Sequence, residues 1–295
     1  ISYGVYITYS ILDFPDLGVD GTFPLGAAVT ALMLVKGVNP YLTLPIALVV
    51  GALAGFVSGF IHVRLKVRNL LAGIITMTAL FSINLVIVGG SNLTVERAID
   101  TIFTAGPTMA VLGGLSMSGR KLVVSLVLAV VVKLLLDAYF KTKSGLLLRA
   151  VGDNATLVTS LAKDRGNMKI LGLMISNALV ALGGCIVCHD QRSYSATMGT
   201  GQLVYGLAAV IIGVSAFRWY ENSGVARRLR EVKGLRFLAL PRGTTAVVVG
   251  SILYKFCIQM AMLLVPSSLM KLVTAALFLL VLVASGRKGE EIIHA

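Results

Sequence analysis

Charge is scarce in this sequence, and acidic charge is scarcest. Only 13% of the 295 residues are charged, with 13 acidic against 26 basic side chains, while 57% are hydrophobic. Soluble domains carry about 25% charged residues, so the composition excludes a soluble fold. A mean hydropathy of +0.89 is typical of polytopic membrane proteins instead.

Motifs of soluble enzymes are also missing. A chain that hydrolysed its own ATP would need a glycine-rich loop ending in Gly-Lys-Ser or Gly-Lys-Thr. The nearest stretch, 114–122, has Arg120 and Lys121 after Gly119 and precedes an apolar segment, so it is a chance near match. Nothing resembles a nucleophile elbow, a zinc-binding helix or a carboxylate pair. We therefore predict no catalytic residue, metal or cofactor, and no enzyme activity for the chain by itself.

Three cysteines are too few for a disulfide framework. Cys185, Cys188 and His189 form a Cys-x-x-Cys-His sequence, the spacing of c-type haem attachment. They end a smooth apolar segment, and no second axial ligand stands out. We interpret them as helix-packing residues with a polar end, and haem attachment is the alternative.

Nine apolar segments follow one another at short intervals. Because a bilayer core of ~30 Å needs about 20 helical residues, two of them are short, at 23–35 and 203–217. Short segments flanked by Gly or Pro indicate broken or re-entrant helices near a transport path. The predicted fold is an all-α polytopic membrane protein with about 8–9 transmembrane or re-entrant helices. The segments are 1–12, 23–35, 41–63, 70–89, 122–140, 170–187, 203–217, 244–265 and 268–285.

Basic residues concentrate between these segments, as the positive-inside rule requires of cytoplasmic loops. They lie at 64–68, 143–169 and 218–242, and after residue 286. Alternation of the segments from Tyr41 onward puts all four regions on one side, so the C-terminus is predicted to be cytoplasmic. This topology explains the net charge of +13 better than nucleic-acid binding does. We interpret loop 218–242 as a solvated basic loop, with an interfacial amphipathic helix as the alternative.

The N-terminal stretch 12–28 holds three acids without a basic neighbour. It is therefore predicted to lie outside or to fold back into the helix bundle, where acids face a cavity or a partner. Asp20 is placed to cap a helix that begins at Thr22, with Pro24 tolerated in the first turn. Solvent exposure and a cavity role are both open for Asp13 and Asp16.

The stretch 143–169 is too long and too regular for a simple connector. Residues 145–151 are predicted to end a helix, 152–154 to form a turn, and 155–163 to form a short helix capped by Asn154. Leu157, Val158 and Leu161 give that short helix an apolar side. A capped amphipathic helix outside the membrane indicates a docking surface for another chain.

This stretch resembles the ATPase-coupling segment of permease subunits of bacterial ABC importers for branched-chain amino acids, sugars and related solutes. The family pattern of Gly, then Arg-Ala-x-Gly-x-Asn and an Ala/Leu-rich helix is matched from Gly145 to Ala162, although 163–166 departs from the usual ending. Residues 205–213 resemble the helix after the family's outer loop. Residues 12–28 resemble the subgroup assigned to tryptophan or tyrosine.

The resemblance implies a type II-like ABC importer permease bundle, with residues 1–295 as one transmembrane domain in a bacterial plasma (inner) membrane. It implies two permease copies, two ATPase subunits, an extracytoplasmic solute-binding protein and no nucleic acid. The solute would be an amino acid, with aromatic ones favoured. The ATPase-coupling residues would be Gly145, Arg149, Ala150, Gly152, Asp153, Asn154, Leu157 and Leu161.

For the translocation path we predict the broken N-terminal segment and polar groups within helices. An amino-acid carboxylate is expected on the half-helix N-terminus near 22–26, and hydrogen bonding between helices is the alternative role of Asn84 and Gln259. The path residues are Asp13, Asp16, Asp20, Thr22, Thr76, Asn84 and Gln259.

Gly51, Gly55 and Gly59 share one helix face and predict close helix packing.

The alternative function is a stand-alone secondary transporter or channel for a small polar solute. It would need intramembrane acids or histidines as ion sites, and after Tyr41 the segments hold little more than His62 and Asp137 near their ends.

Overall fold

The computed structural model describes residues 1–153, 165–222, 243–264, 266 and 269–293. Within these residues the chain forms eleven α-helices and one two-stranded sheet, which confirms an all-α polytopic protein. Five of the described helices are long and apolar enough to cross a membrane. The predictions for Asn154, Leu157, Leu161 and most of the basic loop 218–242 lie outside the described residues.

Most of the helices follow the predicted apolar segments, with bounds that shift by up to eight residues, whereas α5 lies where no helix is predicted. Their ranges are α1 Ser2–Val5, α2 Val19–Val35, α3 Thr43–Val63, α4 Asn69–Val88, α5 Gly106–Leu112, α6 Met117–Tyr139, α7 Lys143–Asp153, α8 Arg165–Gln191, α9 Gln202–Asn222, α10 Gly243–Leu264 and α11 Met270–Ile293. A π-helical turn, Tyr6–Ile11, continues α1, and a 3-10 turn, Pro40–Leu42, precedes α3.

Residues 3–203 form one compact unit, and residues 204–295 form a second. In the first unit α8 packs most extensively on α3 and α2, and α2 also packs on α4. More than half of the apolar window of α8 is buried (56%), against 11% for α6. The unit is therefore built around α8, and most of the apolar window of α6 is left uncovered by the described residues.

Three glycines of α3 allow its close approach to α8. A Cβ on Gly51 would lie 2.5 Å from the carbonyl oxygen of Asn177, and one on Gly59 would lie 3.0 Å from the Cα of Ile170. A Cβ on Gly55 would overlap the carbonyl group of Leu173. The small-residue face of α3 thus lies against the backbone of α8.

Two short strands join loops that are far apart in sequence. Strand β1, Asn92–Thr94, pairs antiparallel with β2, Ser193–Ser195, with Leu93 opposite Tyr194. Neither strand is predicted from the sequence. Strands of three residues carry too little alternation to stand out in a sequence.

In the second unit, α9 and α10 approach each other through glycines. A Cβ on Gly213 would overlap the carbonyl group of Ala246, and one on Gly250 would overlap the carbonyl oxygen of Ala209. Tyr205 and Tyr254 pack with ring centroids 5.4 Å apart, and the side chain of Tyr254 is buried.

Candidate functional site

The first membrane segment is broken between Ile11 and Val19. The π-turn Tyr6–Ile11 ends in an irregular stretch, 12–18, before α2 begins. We call residues 12–18 the hinge stretch. Its Phe14 is fully buried and packs edge-on against His62 of α3, with ring centroids 5.0 Å apart. Irregular backbone at this position is tolerated because protein covers it.

Asp16 anchors the hinge stretch to two other helices. Its carboxylate accepts hydrogen bonds from the Gly18 amide at 2.8 Å, from Asn177 Nδ2 at 2.8 Å and from Ser58 Oγ at 3.5 Å. Thr22 Oγ1 donates to Asn177 Oδ1 at 2.8 Å, which extends the network into α2. All four side chains are buried. We refer to Asp16, Thr22, Ser58 and Asn177 as the Asp16 network.

Asp13 lies apart from this network. Its side chain is exposed, and its backbone has φ of 50°. Aspartate tolerates this left-handed conformation better than most residues, so Asp13 makes the turn at the start of the hinge stretch.

Asp20 does not cap its own helix, which corrects the sequence-based prediction. The helix begins at Val19 rather than Thr22, so Asp20 lies in its first turn. Its carboxylate instead accepts hydrogen bonds from the Gly201 amide at 3.1 Å and the Leu203 amide at 2.8 Å. Asp20 therefore caps the start of α9, 181 residues further along the chain.

The predicted carboxylate site at the α2 N-terminus is not available either. The first amides of α2 are already bonded within the hinge region: Asp20 to the Leu17 carbonyl at 3.2 Å, and Gly21 and Thr22 to the Gly18 carbonyl at 3.0 and 2.8 Å. A helix N-terminus binds an anion only when its amides are free.

A cavity of about 450 Å³ lies between α2, α4 and the outer connection before α9. We call it the α2–α4 cavity. Asp20 and Asn84 both line it, so two predicted path residues come together. Asn84 Nδ2 donates to the Gly21 carbonyl at 3.3 Å, whereas its Oδ1 has no hydrogen-bond partner among the described residues. The lining residues are Leu17, Asp20, Gly21, Pro24, Met77, Thr78, Phe81, Asn84, Ala196, Thr197 and Thr200.

The remaining predicted path residues lie elsewhere. Thr22 belongs to the Asp16 network, and Thr76 Oγ1 donates to the Ala72 carbonyl of its own helix at 2.9 Å. Gln259 is exposed on α10, in the second unit. Thr197 and Thr200, in the segment before α9, are not among the predicted path residues. The segment's run of small hydroxyl residues was the available signal.

Residues 165–169 of the predicted coupling stretch 143–169 belong to α8, and residues 143–153 form one helix, α7. It continues through Gly152 and Asp153, so these residues do not form the predicted turn. Buried Leu148 and Val151 give α7 an apolar inner face, and Arg149 stacks over Phe140 with its Cζ 4.6 Å from the ring centre. A Cβ on Gly152 would overlap the carbonyl oxygen of Ile11. Gly152 therefore allows α7 to approach the π-helical turn that ends at Ile11.

The other end of α7 is equally close to its neighbour. A Cβ on Gly145 would overlap the Tyr139 carbonyl oxygen. Gly145 thus allows one end of α7 to lie against the end of α6, and Gly152 allows the other end to lie against the π-helical turn at Ile11. Ala150, also predicted to couple, lies between them on the helix.

The Cys-x-x-Cys-His sequence lies within α8. Cys185 and Cys188 are free thiols and fully buried, and His189 Nε2 lies 2.8 Å from Thr43 Oγ1. No group of three metal-binding side chains occurs in the described ranges. Thiols enclosed by helix packing cannot reach a haem, so the arrangement favours the packing interpretation.

Comparison with known proteins identifies the class. Residues 1–282 match the family model of the branched-chain amino acid transport system permease component. A tyrosine transport system permease protein of Clostridioides difficile is 38% identical over 93% of this chain and 83% of its own length. A probable branched-chain amino acid transport permease of Methanocaldococcus jannaschii is 27% identical over 90% of this chain and 86% of its own.

A ribose import permease protein of Haemophilus influenzae is 29% identical over 67% of this chain and 59% of its own length. No solved structure matches. Permeases of this class are multi-pass inner-membrane proteins, and their ATPase is a separate subunit. The chain belongs to this family of branched-chain amino acid transport permease components and is the membrane subunit of an ABC importer.

Proposed function

We propose that the chain carries an aromatic amino acid, and that the α2–α4 cavity is part of its path. The observation that carries the proposal is the pairing of Asp20 and Asn84 with Met77 and Phe81 in one cavity. Its volume of about 450 Å³ lies within the 300–1,000 Å³ typical of small-molecule sites. The tyrosine permease of Clostridioides difficile is consistent with this solute class.

The two sides of the cavity suit the two ends of such a solute. The Asp20 carboxylate and the free Asn84 Oδ1 are acceptors for an ammonium group. Phe81, Met77 and Pro24 offer apolar surface to the ring, and aromatic and thioether contacts add to simple burial. The Thr78 hydroxyl donates to the Ile74 carbonyl of its own helix at 2.9 Å, so the hydroxyls of Thr197 and Thr200 are left to orient the solute carboxylate.

The proposed assembly has two permease copies, two ATPase subunits and an external binding protein. The ATPase docks at the coupling stretch 143–169, on the side that also holds the C-terminus. ATP-driven closure moves α7, and the contact of Gly152 with the Ile11 carbonyl passes this movement to the hinge stretch. The Asp16 network then moves α2, which lines the cavity. This is alternating access as a shift between two packings.

Uptake by the complex reconstituted with its ATPase and binding protein tests the proposal. Radiolabelled tyrosine and tryptophan are expected to accumulate with ATP, while leucine and ribose are not. Asn84→Ala is expected to lower tyrosine uptake about tenfold, the effect of roughly 1.4 kcal/mol in binding. Val86→Ala is the matched control, because Val86 lies on the same helix and is 82% exposed.

Two results would contradict the proposal. ATP-driven uptake of leucine or ribose in preference to aromatic amino acids would reject the solute class. Equal uptake by the Asn84→Ala and Val86→Ala proteins would reject the cavity as the path.

A further inference from the structure

A second concave site lies at the opposite end of the first unit, on the side that the positive-inside rule makes cytoplasmic. It has a volume of about 760 Å³ and is formed by the end of α3, the α3–α4 loop and the first turn of α8. We call it the basic pocket. Its lining residues are His62, Val63, Lys66, Val67, Arg68, Asn69, Leu70, Arg165, Gly166 and Lys169. We infer that it binds the phosphate headgroup of an anionic phospholipid.

The charge of the pocket is one-sided. Four of its lining residues are Lys or Arg, and none is acidic. None of these four cations forms a salt bridge within the described part of the chain. Asp13, outside the lining, acts electrostatically on Lys169. A pocket with this balance attracts an anion.

Backbone amides add to the attraction. The first intrahelical hydrogen bond of α4 is from the Ala72 amide to the Arg68 carbonyl at 3.0 Å. The amides of Asn69, Leu70 and Leu71 therefore precede the helical pattern, and no side chain caps them. His62 Nδ1 lies 2.8 Å from the Val67 carbonyl and holds the loop that carries Lys66 and Arg68.

Apolar surface next to the pocket favours a lipid over a free anion. Val63, Val67 and Leu70 form part of the lining. Leu70 is 52% exposed, Leu71 is 50% exposed, and Ile74 continues the same apolar surface one turn further along α4. A phosphate in the pocket would leave acyl chains on this lipid-facing surface. Basic pockets between helices on the cytoplasmic side recognise anionic headgroups in this way.

The pocket is also placed to influence transport. His62 lines it and packs on Phe14 of the hinge stretch, and α8 contributes Arg165 and Lys169 from its first turn. That turn directly follows residues 154–164, the remainder of the coupling stretch. An anionic lipid in the pocket therefore contacts His62, which packs on the hinge stretch, and the first turn of α8, which follows residues 154–164.

Native mass spectrometry of the purified permease–ATPase complex tests the inference, with phosphatidylglycerol and phosphatidylcholine offered together. The wild-type complex is expected to retain phosphatidylglycerol selectively. Each basic residue near an anionic surface contributes roughly fivefold in affinity, so Lys66→Gln with Arg68→Gln should lower retention about 25-fold. The control is Lys36→Gln with Arg97→Gln, because both are exposed basic residues outside the pocket. This control should retain wild-type amounts.

Further arms separate the other sources of the signal. Millimolar inorganic phosphate should not displace the lipid. If it did, the pocket would be a free-phosphate site and the inference would be overturned. Unchanged phosphatidylglycerol retention in the double variant would also overturn the inference. So would a double variant that loses the ATPase but keeps the lipid. If the double variant does not fold, Lys66→Gln and Lys169→Gln alone each carry the test, with about fivefold lower retention expected.

Discussion

Asp16 is a fully buried carboxylate that joins the hinge stretch to α3 and α8. No basic side chain forms a salt bridge with it within the described residues. Three hydrogen-bond donors satisfy it instead. A buried group of this kind is tolerated only while its partners are in place. We therefore expect Asp16 to determine the position of the hinge stretch.

Asp16→Ala tests this at the residue scale. The change leaves Asn177 Nδ2 and the Gly18 amide without their acceptor, and each buried unsatisfied group costs about 1–3 kcal/mol. We expect a clearly lower melting temperature, with Asp16→Asn in between because its amide keeps one acceptor. Asp13→Asn is the matched control, because Asp13 is exposed in the same stretch and Asn also tolerates its left-handed backbone.

A thiol-reactive dye measures this unfolding. Cys185 and Cys188 are buried and become reactive only when the protein unfolds, whereas Cys257 is exposed and is first changed to Ser. Equal melting temperatures for Asp16→Ala and Asp13→Asn would show that the network does not hold the hinge stretch.

At the scale of elements, α7 packs on the π-helical turn Tyr6–Ile11, which leads into the hinge stretch, and the two approach closely at Gly152. The position of Gly152 leaves no room for a side chain against the Ile11 carbonyl. At the other end of the hinge stretch, a Cβ on Gly73 of α4 would lie 2.7 Å from the Leu17 amide nitrogen. The hinge stretch is therefore closely packed at both ends, so a shift of α7 cannot be absorbed by empty space.

Gly152→Ala is expected to separate ATPase binding from transport. The added methyl group pushes α7 away from Ile11, so ATP-driven uptake of the solute should fall at least tenfold while the ATPase still binds. Gly90→Ala is the control, because a Cβ there meets nothing within 4 Å. Uptake and co-purified ATPase are measured on the same preparation. Normal uptake by the Gly152→Ala complex would refute a coupling role for this contact.

Local patterns predicted the helices well but did not predict what joins them. Apolar segments and the glycines of α3 follow from periodicity and composition, since they depend on neighbours in sequence. The Asp20 cap on α9 and the Asn177 bond to Asp16 span more than 150 residues, so no local rule reveals them. Gly152 looked like a turn residue because glycine favours turns, but a close helix contact also requires it.

At the scale of the whole molecule, charge separates the two candidate sites. The α2–α4 cavity includes the outer segment before α9, whereas the basic pocket is lined by cations of the 64–68 loop and of the first turn of α8. Solute binding and lipid binding are therefore assigned to opposite faces of the membrane. This assignment depends on the orientation that the basic residues predict.

Cysteine labelling tests that orientation. In a Cys257→Ser background, Ala98→Cys lies in the predicted outer connection and Leu65→Cys in the predicted cytoplasmic loop, and both positions are exposed. A membrane-impermeant maleimide added to intact cells should label the first variant, and the second only after permeabilisation. The unsubstituted background controls for Cys185 and Cys188, which are buried. Because lysine and arginine loops remain on the cytoplasmic side during insertion, the opposite labelling pattern would invert the molecule. It would place the basic pocket outside and remove the ATPase from the coupling stretch.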